Sequence, residues 1–161
     1  MDIPQLLYPL TLKGLGIGLL CGFMIGMERQ LSGKPAGIRT SALICIGSYV
    51  FTVVGVLLPG NADPSRVIAQ IVTGIGFIGA GVILAREGLV LGVTSASVIW
   101  VLAGIGILIG LNRFGSAVLL SAVTVFILAG VNLLERLLMR LRQGIYRKLL
   151  GKWVNDDMSG E

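Results

Sequence analysis

Long apolar runs, broken at short intervals by charged or turn-forming clusters, organise this chain from end to end. A helix that crosses a bilayer needs about 20 mostly apolar residues. Five segments meet that need, at roughly 6–27, 40–58, 67–84, 93–111 and 114–134. Lys13 is the sole charge inside the first of them. The pieces between them, 28–39, 59–66, 85–92 and the Asn112–Arg113 pair, are so short that neighbouring helices must run antiparallel, side by side. The pattern predicts an all-α membrane protein, a compact bundle of about five transmembrane helices with short loops, occupying residues 1–134.

After the fifth run the periodicity stays helical while its character changes. Leu133, Leu134, Leu137, Leu138, Leu141, Ile145 and Leu149 recur at helical spacing with arginines between them. This predicts a basic amphipathic helix lying on anionic headgroups, followed by a polar tail, over residues 135–161. Arg29, Lys34 and Arg39 mark the first loop, Arg86 the third, and the tail is the most basic part of the chain. An odd number of spans places all three on one side. The positive-inside rule makes that side cytoplasmic, with the N-terminus and the loop containing Asp63 outside. Lys13 then snorkels to the outer interface.

Composition sharpens the reading. Only 13% of the 161 residues are charged, against about 25% in a soluble domain, so no polar skin can be assembled. The net charge of +5 sits at segment ends and in the tail, which argues for topology and against nucleic acid as a partner. Histidine is absent, which removes the commonest catalytic base and transition-metal ligand. Cys21 and Cys45 lie inside apolar runs and read as small buried hydrophobes. No separate signal peptide is evident, so the first run serves as its own targeting signal.

Glycine carries the strongest internal pattern. Gly14, Gly18, Gly22 and Gly26 recur at every fourth position and predict a side-chain-free stripe for close helix packing. Gly74, Gly76, Gly79 and Gly81 make a similar cluster in the third run. Either cluster can serve an external partner as readily as internal packing.

Charge near membrane depth is costly and needs a partner. Glu28 and Arg29 follow the glycine stripe and Arg39 opens the second span, which predicts a cytoplasmic cluster in which Arg39 pairs with Glu28. On the other side Asp63-Pro64 reads as a helix start, with Asp63 as N-cap, Pro64 in the first turn and Arg66 within pairing reach. Asp63, Gln70 and Thr73 are candidates for the mouth of a polar pocket. Thr40-Ser41-Ala42 opens the second span and Thr94-Ser95-Ala96 the fourth. Spans one–two and three–four thus read as parallel copies of one hairpin, a device common in transporters, with the two Thr-Ser pairs at equivalent depths.

Enzyme signatures are not seen: no phosphate-binding loop, no metal-ligand spacing, no intramembrane protease set. The expectation is a protein that is not an enzyme and uses no cofactor.

Three stretches carry a resemblance to a known family. They are 22–29 with Lys34 and 36–40; 63–81, running from Asp63-Pro64-Ser65-Arg66 to Gly79-Ala80-Gly81; and 92–100, from Gly92 to Trp100. They resemble the signatures of the MgtC/SapB family, in the family's order, over roughly residues 14–130. The resemblance implies a bacterial plasma (inner) membrane protein connected with magnesium homeostasis at low magnesium and, in pathogens, with virulence-type survival inside phagocytes. It also implies a regulatory effect on the F-type ATP synthase in preference to direct transport. Many members carry a C-terminal ACT-like domain; the sequence ends too early to hold one, and reads either as a short member or as a truncated form of a longer one.

Two readings follow. One is a membrane regulator acting through helix contacts with another complex, or with copies of itself as a homo-oligomer. The other is a transporter or channel for magnesium or another cation. Magnesium favours several carboxylates or carbonyls, whereas Glu28 and Asp63 fall on opposite faces of the membrane in the topology above. The regulator is the preferred reading.

Overall fold

The computed structural model describes residues 8–57, 63–86, 89–131 and 133–134. The chain divides into one unit of residues 1–125 and another of residues 126–161. Four helices are α1 Leu12–Leu31, α2 Ile38–Leu57, α3 Pro64–Ala80 and α4 Val93–Gly110. A fifth, α5, is Phe114–Val131. The expected amphipathic helix and tail at 135–161 lie outside the described residues.

α2, α4 and α5 are each long and apolar enough to cross a membrane. α1 matches α2 in length but carries Lys13, Glu28 and Arg29 near its ends. α3 has 17 residues, or about 25 Å, somewhat less than a hydrocarbon core of about 30 Å. The helical, bundle-like class expected from the apolar runs is therefore the one observed.

α2 is the spine of the first unit, and glycine is why. Along α1, a β-carbon at Gly14 would meet the Tyr49 ring, one at Gly18 would touch Ile46, one at Gly22 would stand 2.5 Å from Ala42 Cα, and one at Gly26 2.5 Å from Ile38 Cα. The partner number falls as the glycine number rises, so α1 runs antiparallel to α2 at backbone distance. Gly106 and Gly110 of α4 do the same on another face of α2, against the Cys45 carbonyl with Ser48, and against Thr52. Here both numbers rise together, so α4 is parallel to α2. The Cys45 thiol donates to the Leu102 carbonyl at 3.5 Å across this contact, and both cysteines are buried and free.

α3 is held more lightly. Of its residues only Ile75 and Gly79 are buried. A β-carbon at Gly74 or Gly76 would meet nothing within 4 Å, and one at Gly79 would make an ordinary 3.7 Å contact with Ala96. Gly81 is the C-cap of the helix. Among the described residues, nothing packs closely on Gly74 or Gly76, contrary to the expectation for this cluster.

The ends of the elements show local causes. Thr11 caps α1 by accepting from the Gly14 amide at 2.9 Å, while its own amide donates to the Tyr49 hydroxyl at 2.8 Å. α1 runs four residues past the predicted end, to Leu31, because Glu28 and Arg29 find protein partners within its last turn. α3 stops at Ala80, short of the predicted 84. Leu84–Arg86 (β1) and Leu89–Leu91 (β2) instead pair antiparallel, Leu84 opposite Leu91 and Arg86 opposite Leu89. Gly92 then turns at φ 89 into α4, and a β-carbon there would run into the Val82 carbonyl.

Candidate functional site

The last turn of α1 carries a charge into the protein. Gly22 and Gly26 fix α1 against the backbone of α2, so the turn that follows has little freedom. Arg29 is 3% exposed. Its Nη2 donates to Ser95 Oγ at 2.7 Å, at the start of α4, and its Nη1 lies 3.7 Å from Glu28 Oε2. Glu28 Oε1 accepts from the Ser32 hydroxyl at 2.9 Å. The Lys34 amide donates to the Arg29 carbonyl at 2.9 Å, which folds the α1–α2 turn back onto the cluster. Arg29 Nε has no hydrogen-bond partner among the described residues. Removing a guanidinium from water costs several kcal/mol, so this arrangement has to be built by the fold around it.

The pairing expected between Arg39 and Glu28 is not how this cluster is assembled. Arg39 is exposed at the head of α2 and has no ion pair among the described residues, while the ion pair described for Glu28 runs to its neighbour Arg29. A buried arginine takes the place that the surface arginine was expected to fill.

The two Thr-Ser-Ala stretches do sit in equivalent settings. Ser41 and Ser95 are both buried, and Thr40 and Thr94 are both exposed. Gly22 faces Ala42 in the first hairpin and Gly79 faces Ala96 in the second. The serines differ in what they do: Ser41 donates to the Ala36 carbonyl at 2.8 Å, and Ser95 receives Arg29.

At the far end, Asp63 caps α3 as expected. Its carboxylate accepts from the Ser65 amide at 2.9 Å and the Ser65 hydroxyl at 2.6 Å. These hydrogen bonds, with a smaller contribution from the Arg66 charge, hold the Asp63 carboxyl below its ordinary value. Gly55 of α2 faces Val67 here, whereas Gly26 of α1 faces Ile38 at the other end. Asp63 and Glu28 thus lie at opposite ends of α2, a helix of 20 residues and about 30 Å.

The polar pocket expected around Asp63, Gln70 and Thr73 does not assemble. Thr73 is exposed and donates to the Ala69 carbonyl in its own helix. Gln70 instead joins Thr40 and Ser48 in a groove of about 580 Å³ between α2 and α3, whose other walls are apolar. Among the described residues no cluster of three or more His, Cys, Asp or Glu side chains forms that could hold a metal ion. Tyr49 accepts from the Thr11 amide and packs its ring against Gly14, a role that no sequence motif marks. Its only signal is an aromatic residue in the helix facing the glycine stripe.

Apolar helices packed through glycine, with charge confined to the two ends, define a polytopic helical membrane protein. The profile of the MgtC family matches residues 15–137. Protein MgtC of Salmonella typhimurium is 42% identical over 144 residues, covering 89% of this chain and 60% of that protein. Protein MgtC of Brucella abortus is 42% identical over 122 residues, covering 76% and 50%. "Putative magnesium transporter YhiD" of Escherichia coli K12 is 46% identical over 118 residues, covering 68% and 54%. The chain belongs to the MgtC family, and its matches span half to three-fifths of the length of these relatives. No solved structure matches it.

Proposed function

We propose that the chain is a plasma-membrane regulatory protein of low-magnesium adaptation, and in pathogens of survival in phagocytes. It acts by helix contact with another membrane complex, the F-type ATP synthase being the partner the family resemblance implies. The observation that carries this reading is the placement of charge. Among the described residues the buried charge is the Arg29 guanidinium, held against the nearly buried Glu28 carboxylate, and Glu28 and Asp63 stand at opposite ends of α2, so these acidic groups do not line up into a cation path. The names of the MgtC relatives and the magnesium wording of the Escherichia coli relative support the connection with magnesium.

The packing also favours a particular contact surface. Gly14, Gly18, Gly22 and Gly26 of α1 are used against α2, whereas α3 leaves Ala69, Thr73, Gly76 and Ala80 exposed at helical spacing. Small residues on a lipid-facing helix allow a second helix to approach at backbone distance. Cross-linking in native membranes, followed by purification of the chain and identification of the cross-linked protein, tests the reading. Gly76→Leu, at a position with open space around it, removes the cross-link to ATP synthase subunits while the protein still inserts. An unchanged pattern in Gly76→Leu, or a pattern without ATP synthase subunits, contradicts it.

The second reading is a magnesium transporter, favoured by the name of the Escherichia coli relative and by Gln70 in the α2–α3 groove. In either case the orientation we propose is N-terminus outside and C-terminus cytoplasmic, supported by Lys34 and Arg39 beside Arg29 at one end of the bundle.

A further inference from the structure

The groove between α2 and α3 is walled mostly by apolar side chains, with Thr40, Ser48 and Gln70 among them, and Arg39 precedes it at the head of α2. Leu43, Ile44 and Phe51 face Ile71, Ile75 and Ile78 across about 580 Å³. Gly47 and Gly74 line it from opposite walls, and a β-carbon on either would meet nothing within 4 Å. From Thr40 to Phe51 the groove follows α2 for about 16 Å of helical rise. Arg39 precedes Leu43, Gly47 and Phe51 in steps of four, so it heads the same face of the helix. Side chains of a helix tilt toward its N-terminus, which carries Arg39 past the groove toward the membrane surface. Arg39 is exposed, has no ion pair among the described residues, and sits where the helix N-terminus adds partial positive charge.

We propose that this groove holds an acyl chain of one anionic phospholipid, whose phosphate is bound by Arg39 with the Thr40 hydroxyl beside it. The position of the charge selects the occupant: Arg39 heads the helix face that lines the groove, so a molecule that fills the apolar wall from Leu43 to Phe51 and meets the guanidinium needs a hydrocarbon chain joined to an anionic group. The charge decides the headgroup. A guanidinium at headgroup depth pairs with a phosphate through charge-assisted hydrogen bonds, and an anionic lipid adds an attraction that a zwitterionic one lacks.

The test uses the purified full-length chain in mild detergent, mixed with phosphatidylglycerol or phosphatidylethanolamine of identical acyl chains, with bound lipid counted by native mass spectrometry. One phosphatidylglycerol is retained per chain, about fivefold over phosphatidylethanolamine, the factor that one arginine near the surface confers. Arg39→Gln lowers phosphatidylglycerol to the phosphatidylethanolamine level. Gly47→Leu removes retention of both lipids, and Gly74→Leu repeats the block from the opposite wall. Both leucines enter open space, so circular dichroism stays that of the parent. Equal retention of the two lipids overturns the proposal, as does an Arg39→Gln protein with undiminished preference. Retention that survives both leucines, or a dimer that displaces lipid from the parent chain, overturns it as well.

Discussion

Adding a single methyl group at Gly22 tests the packing on which the first unit depends. A β-carbon there would stand 2.5 Å from Ala42 Cα and 2.8 Å from the Ala42 nitrogen. Both atoms are backbone, so neither can rotate away, and relief requires α1 and α2 to separate. Overpacking of this kind costs about 1–3 kcal/mol. Alanine in place of glycine recovers about 1 kcal/mol of helix propensity, so Gly22→Ala is destabilising by up to about 2 kcal/mol. Gly76→Ala supplies the control: it has the same gain in propensity and nothing within 4 Å to strike, so it is neutral or stabilising. Unfolding in mixed micelles by titration with dodecyl sulfate, followed by far-ultraviolet circular dichroism, gives the two free energies side by side. Gly22→Ala falls below the parent chain and Gly76→Ala does not. Equal stabilities for the two variants would refute the claim that α1 and α2 meet at backbone distance.

Other consequences follow from particular contacts. Ser95→Ala strands Arg29 Nη2 in a buried site, and loss of a hydrogen bond to a charged group costs about 1.5–3 kcal/mol. Ser97→Ala loses only an exposed bond to its own helix, so thermal unfolding should separate the two; coincident curves would count against the buried contact. Asp63 titrates below its ordinary value of 3.8, so its stabilisation of α3 is complete above that pH and lost as the pH falls through the lower folded value. The Ser65 amide resonance, followed by NMR, then shows a midpoint below 3.8, and a midpoint at or above it removes the cap. In the proposed orientation, Lys34→Cys reacts with a membrane-impermeant maleimide in inside-out vesicles but not in right-side-out ones. Cys21 and Cys45 are buried and stay silent in both, and the reverse pattern inverts the topology.

Much of this architecture is legible in the apolar runs because bilayer depth imposes a length that a soluble core does not. The positions of α2, α4 and α5 follow from that length, and the break before α5 from Asn112 at φ 58. Charge at the end of an apolar run argues for a loop, whereas α1 continues through Glu28 and Arg29 because Arg29 is charged and buried. Its partner Ser95 lies in another helix, and no local pattern reveals a contact between residues 66 positions apart. The two strands after α3 escaped because leucine, alanine and valine serve a membrane helix and a short hairpin equally well. The glycine clusters looked alike in sequence but diverge in space: those of α1 meet α2, while Gly74 and Gly76 meet nothing. Spacing defines a face, and only tertiary structure says what covers it.

Magnesium flux separates the regulator we propose from a conducting protein. Purified protein is reconstituted into proteoliposomes, shown to be folded and inserted, and compared with empty vesicles and with the Asp63→Ala protein. A regulator gives no flux above that of empty vesicles. Protein-dependent flux that is lost with Asp63→Ala would contradict that reading and make this chain a transporter with an acidic outer gate.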